Sequence, residues 1–178
     1  KAETLRSKDA APAPTQSPAA SPQASPTPQI TREQAWVHAE EYLDRAVKSD
    51  PDYAFALQEM AELRMNQERN AEARALLQKI LALAEEPVPE GQDPTTIMAN
   101  RANRKNMALL SMVRLEATEK NYDRALQTLD ELHTADPGNL EVYGLRAQIH
   151  RARGDLDEAL KAYDEVIKVG QGMQDQGM

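Results

Sequence analysis

The sequence predicts an all-α chain, an α-α solenoid of about seven helices, following an N-terminal segment without fold. Three observations predict it. No segment alternates apolar and polar residues with period two, so no sheet is expected. Apolar positions recur at helical spacing from Thr31 onward, between clear stop signals. Three columns of residues also repeat together. Ala39, Ala73, Ala125 and Ala159 are 34, 52 and 34 residues apart, and Leu43, Leu77, Leu129 and Tyr163 keep the same gaps. So do Ala46, Ile80, Leu132 and Val166. A fixed period of this length is the mark of stacked helix pairs.

The elements follow in order. Thr31 with Gln34 makes a capping-box-like start, and Trp36 opens the apolar face of a first helix that Asp50-Pro51 ends. A second helix is expected over Ala54–Gln67 and a third over Ala71–Ala84. Pro87, Pro89 and Gly91 then break the chain in a loop over Glu85–Asp93. Asp93 followed by Pro94 is an N-cap and first-turn pair, opening an unusually long helix to about Thr118. The gap of 52 equals one period plus 18 residues, which is five helical turns, and an insertion of whole turns would lengthen this helix without rotating its buried face. Asn121–Thr134 follows, ended by Asp136-Pro137-Gly138. Leu140–Arg153 and Asp155–Val169 form the last pair, split at Gly154, and the Gly-containing tail 170–178 is expected to be flexible.

From Ala10 to Pro28 the chain holds six Pro and six Ala, with no charged residue between Asp9 and Arg32. Such a segment blocks helix and sheet, favours polyproline II and buries too little to order itself. Residues 1–30 are therefore expected to be a disordered linker. Two readings stand: a spacer tethering the domain to a bacterial envelope anchor or processed upstream segment, or the tail of a cytoplasmic protein.

The 178 residues carry a net charge of −8 and no Cys. Disulfides, thiolate nucleophiles and Cys-type zinc sites are excluded. The acidic balance argues against a nucleic-acid partner. No apolar run approaches the roughly 20 residues of a membrane span, so a membrane is expected only through an upstream anchor.

The repeat resembles the tetratricopeptide-repeat family, whose unit is a 34-residue antiparallel pair of helices, A then B. Ala61, Val113 and Ala147 occupy the small position of helix A, and the Ala column that of helix B. Tyr122 and Trp36 match the aromatic near the start of helix B, Pro51 and Pro137 the proline after it, and Gly154 to Ala159 the A-to-B turn. The resemblance covers about Thr31 to Val169 and implies a right-handed superhelix. It divides the domain, 31–169, into a half repeat over 31–53, a repeat over 54–87, an insertion and lengthened helix over 88–105, and repeats over 106–139 and 140–169. There are departures. Asn70 and Leu156 replace the helix B aromatic, and Arg64, Glu116 and His150 stand where helix A has one. No capping helix of the kind that solvates a last repeat is read in residues 170–178, so the outer face of the last helix is expected to meet a partner or another copy, or the native chain is expected to continue.

Chemistry-bearing constellations are sparse. His38, His133 and His150 lie on separate predicted helices without metal-ligand spacing, and no phosphate-binding glycine motif occurs. Acid pairs such as Glu40-Glu41 are expected on solvent faces rather than as catalytic dyads. No enzyme activity, cofactor or metal is expected. The Met residues suit core filling, with Met65 and Met107 as exceptions on the inner face.

The resemblance implies a concave groove lined by the A helices. The first full repeat contributes Phe55, Gln58, Glu59, Glu62 and Met65. The second contributes Met107, Leu110, Ser111, Arg114 and Thr118. The third contributes Glu141, Leu145, Gln148 and Arg151. Exposed Phe55, Met107, Leu110 and Leu145 are expected to form an apolar floor beside Arg114 and Arg151, suited to a peptide or helix of a partner protein. The carboxylate clamp of chaperone-cofactor relatives is excluded: Gln58, Glu62, Ser111, Glu141 and Leu145 occupy its positions. A secondary basic surface is expected from Arg101, Arg104 and Lys105, interleaved with Asn100, Asn103 and Asn106; the alternative is a solvated helix extension. The expected function is a non-enzymatic scaffold or adaptor in assembly of a bacterial envelope complex. The alternative is a homo-oligomer formed through the uncapped C-terminal helix, with Ala162, Val166 and Val169 as contacts.

Overall fold

The structure, a computed structural model, describes residues 31–175. The linker expected over 1–30 lies outside the described residues. Among those described there are seven helices and no strand: α1 (Arg32–Ser49), α2 (Ala54–Asn66), α3 (Asn70–Ala84), α4 (Pro94–Thr118), α5 (Tyr122–Ala135), α6 (Leu140–Arg153) and α7 (Leu156–Asp175).

Local chemistry sets the boundaries. At the turns after α1 and α5, the carboxylates of Asp50 and Asp136 accept from the N–H two residues on, at 3.1 Å each, and the prolines that follow cannot continue a helix. Asp93 caps α4 by accepting from Thr95 N–H at 3.2 Å and Thr96 N–H at 3.0 Å, ahead of Pro94. The three A-to-B turns share one geometry. In each, an N–H reaches back five residues: Arg69 to the Arg64 carbonyl at 2.8 Å, Asn121 to Glu116 at 2.8 Å, and Asp155 to His150 at 2.9 Å. The residue before each donor is left-handed: Glu68 at φ 61°, Lys120 at φ 63° and Gly154 at φ 96°.

Packing follows the repeat. Each helix lies against its neighbour in the chain, and α2 meets α4 and α4 meets α6, so the A helices form one continuous layer. Ala61, Val113 and Ala147 are fully buried, as are Ala73, Ala125, Leu77 and Leu129. Small residues here let helices approach closely. One apolar cluster joins α2, α3 and α4, and a second joins α4, α5 and α6. α4 serves both, because Ala108, Met112 and Leu115 face one and Leu110 and Val113 the other.

Two expectations about length change. The 18 inserted residues are not five turns of helix. Twelve of them, 94–105, extend α4 at its N-terminus; the other six lengthen α3 by one residue and its loop by five. A terminal extension leaves the phase of the packed part untouched, so whole turns are not required. The helix ending expected at Val169 instead runs to Asp175, through Gly170 and Gly172. Gly costs a helix about 1 kcal/mol per residue against Ala but keeps its backbone N–H, so unlike Pro it leaves the hydrogen-bond ladder intact.

Candidate functional site

The inner layer of α2, α4 and α6 bears two cavities. The first, of about 320 Å³, lies between α2 and α4 and is lined by Tyr53, Phe55, Gln58, Asn103, Arg104 and Met107 with Ala54 and Ile80. Phe55 is 59 % exposed and Met107 45 %, and Tyr53 and Phe55 stand with ring centroids 6.1 Å apart. The second, of about 370 Å³, lies between α4 and α6. Arg114, Thr118, Leu145, Gln148 and Arg151 line it, with Val113 and Ile149 beneath.

The wall between them is tied by polar contacts. Gln58 Nε2 donates to Ser111 Oγ at 2.7 Å and to Glu62 Oε1 at 3.1 Å. The Arg114 guanidinium donates to the Glu141 carboxylate, joining α4 to α6. Gln58 with Ser111, and Arg114 with Glu141, thus hold helices together, while Glu62 is engaged within α2.

The helix phase corrects part of the expected floor. Leu110 is buried in the α4–α5–α6 cluster rather than exposed. Gln58 and Ser111 are buried as well, and Leu145 is half-covered. The reason is that α4 packs on both sides, so the face free of α2 contact turns toward α5 and α6. Phe55, Glu59, Met107, Arg114, Thr118, Glu141, Gln148 and Arg151 are exposed; Glu62 and Met65 are half-buried, Met65 against the α2–α3–α4 cluster.

The basic set divides. Arg101 donates to the carbonyls of Glu86 and Pro87, and Lys105 pairs with Glu85, whose carboxyl its hydrogen bond holds below the usual range. Both lash the 85–93 loop to the α4 extension. Arg104 faces the first cavity with no ion pair among the described residues. Arg151 stands likewise at the second. Tyr53, Asn103 and Arg104 were missing from the sequence-derived groove. Arg104 lies one turn before Met107, so extending the groove face backward along α4 would have reached it.

A layer of stacked helix pairs defines a helical-repeat fold. The family model for the tetratricopeptide repeat matches residues 117–174, from the end of α4 into the last turn of α7, about a third of the chain. Over these residues the chain is similar to the tetratricopeptide repeat, and the seven-helix, strand-free fold of the described residues agrees with that likeness. No curated protein matches it. Tetratricopeptide repeats in general serve as protein-interaction scaffolds.

Proposed function

We propose that this protein is a non-enzymatic adaptor that holds a peptide or helix of a partner protein along the α2–α4–α6 layer during assembly of a bacterial envelope complex. One observation supports the binding site: Phe55 and Met107 expose apolar surface into one cavity whose rim holds Arg104, which has no ion pair among the described residues. An apolar anchor in that cavity would supply affinity. Carboxylates meeting Arg104 and Arg151 would set register. The envelope setting rests on the Ala/Pro/Ser-rich composition of residues 1–30, which suits a spacer from an upstream anchor.

The test is site-specific photocrosslinking in native cells. A crosslinker at Met107 or Arg151 is compared with one at Gln78 on α3, outside the inner layer. A partner captured from the inner positions and absent at Gln78 supports the groove. Equal capture at all three, or none, refutes it. Cell fractionation of the captured complex tests the envelope assignment.

The second reading is self-association through α7; of the contacts expected for it, Ala162 is buried and Val166 and Val169 are half-buried, because that side of α7 packs within the domain, and the exposed Leu160 and Ile167 favour it in their place. A monomer across a wide concentration range in light scattering removes it.

A further inference from the structure

The α7 face turned away from α6 repeats the surface with which α5 holds α6. Position by position, Leu156, Leu160, Tyr163 and Ile167 match Tyr122, Leu126, Leu129 and His133, each 34 residues later. Leu129 is fully buried, and the other three α5 residues are half-buried. Their α7 counterparts stand open: Leu156 62 %, Leu160 65 %, Tyr163 37 % and Ile167 56 % exposed. The four lie at i, i+4, i+7 and i+11, one stripe of a helix.

The charges repeat as well. On α5, Asp130 accepts from Arg146 and Asp123 from Arg153 of α6, each at 2.7 Å. On α7 the same two places hold Asp164 and Asp157, and neither has an ion pair among the described residues. Asp157, like Asp123, also sits in a first helical turn, where a negative charge is favoured. Asp164 has no such local reason.

We infer that α7 docks an amphipathic helix of another protein, one that carries two Arg or Lys seven residues apart beside a narrow apolar stripe, as α6 carries Arg146 and Arg153. The charge pattern names this occupant: Asp157 and Asp164 stand where Asp123 and Asp130 each hold an Arg of α6, and a helix with two such cations satisfies both. Lys161, paired with Glu158, and Lys168 share that flank, and sedimentation separates this occupant from a second copy. This face is separate from the α2–α4–α6 layer, so the inference stands or falls independently of the groove.

The probe is a helix-stapled, fluorescent peptide with the sequence of residues 139–154, titrated against the full chain by anisotropy. Saturable micromolar binding is expected. Asp157→Arg with Asp164→Arg should weaken it about tenfold, since exposed pairs contribute modestly and reversal adds repulsion. A peptide bearing Arg146→Asp and Arg153→Asp should prefer that charge-reversed chain. Leu160→Asp should abolish binding; all three substitutions fall on exposed positions, and a circular-dichroism melt confirms the fold. A flat titration overturns the inference, as does binding indifferent to charge reversal on both sides. A dimer in sedimentation velocity that Leu160→Asp dissolves overturns it in favour of a second copy.

Discussion

Glu116 is 1 % exposed, and its Oε1 lies 3.0 Å from Arg124 Nε. The same oxygen is 3.5 Å from Arg74 Nη1, while Oε2 has no hydrogen-bond partner among the described residues. A carboxylate thus occupies the helix A position where the family places an aromatic, held between α3 and α5. One repeat earlier the counterpart is Arg64, buried and 2.8 Å from Glu40 on α1. One repeat later it is His150, whose Nδ1 is 3.6 Å from Asp155. The side chain at this position changes from Arg to Glu to His along the array, so each helix pair has its own polar neighbour.

The Glu116 site should respond asymmetrically to mutation. Arg124 is mostly exposed and Arg74 partly so, hence both can return to water if the acid is removed. Glu116→Met should therefore change stability by less than about 1 kcal/mol. Arg74→Met combined with Arg124→Ala strands a buried carboxylate and should cost about 3 kcal/mol. Urea unfolding of both variants decides it, and a larger loss from Glu116→Met would refute this account of the site.

The left-handed turn residues give a second expectation. Glu68 and Lys120 adopt the backbone that Gly154 adopts without strain. A side chain in that region costs about 1–2 kcal/mol, partly offset by the greater unfolded-state freedom of Gly. Glu68→Gly and Lys120→Gly should each stabilise by about 0.5 kcal/mol. Gly154→Ala should destabilise by about 1 kcal/mol. Opposite signs in thermal melts at the first two positions would show that other contacts outweigh the turn.

Acid should loosen the α1–α2–α3 junction. The Arg64 hydrogen bond, with further help from Gln67 and Arg69, holds the Glu40 carboxyl down at about 2, against an ordinary 4.5. Glu72 moves the same way, chiefly through its hydrogen bond from Arg69. A lowered carboxylate contributes stability that is complete above the unfolded value and lost as pH falls through the folded one. Glu40→Gln should thus be less stable than the natural chain at pH 6, and the gap should close between about pH 4.5 and 2. A gap of constant size over that range would assign the difference to packing.

The groove can be probed only through residues that the fold leaves free. Leu110→Asp would bury a charge in the α4–α5–α6 cluster and should cost several kcal/mol, on the order of 3 or more. Phe55→Glu and Met107→Glu should change stability by about 0.5 kcal/mol or less while reducing partner capture at the inner layer. Stability and capture measured on the same three variants separate loss of fold from loss of site.

Much of the fold was legible in the residues. Three repeating columns, the Asp50-Pro51 and Asp136-Pro137 stops, the Asp93-Pro94 start and the Gly154 turn marked out the helices, because caps and breakers act within a few residues. The groove was only partly legible. Phe55 and Met107 stand open where expected, but the burial of Leu110 and Ser111 depends on how far α4 is rotated between its neighbours. Sequence spacing assigns a residue to a helix face; it does not say how many partners share that face.

By itself the sequence determined the period, the helix ends and the small residues at the crossings, since each follows from backbone preference and local side-chain chemistry. Tertiary structure alone decided which charges are used up. Arg101 and Lys105 tie down a loop, while Arg104 is left at a cavity. Glu116 finds Arg74 and Arg124, and Asp164 finds no partner among the described residues. Ion pairs form between helices dozens of residues apart, and their energy depends on separation and burial, quantities that exist only once the chain is packed.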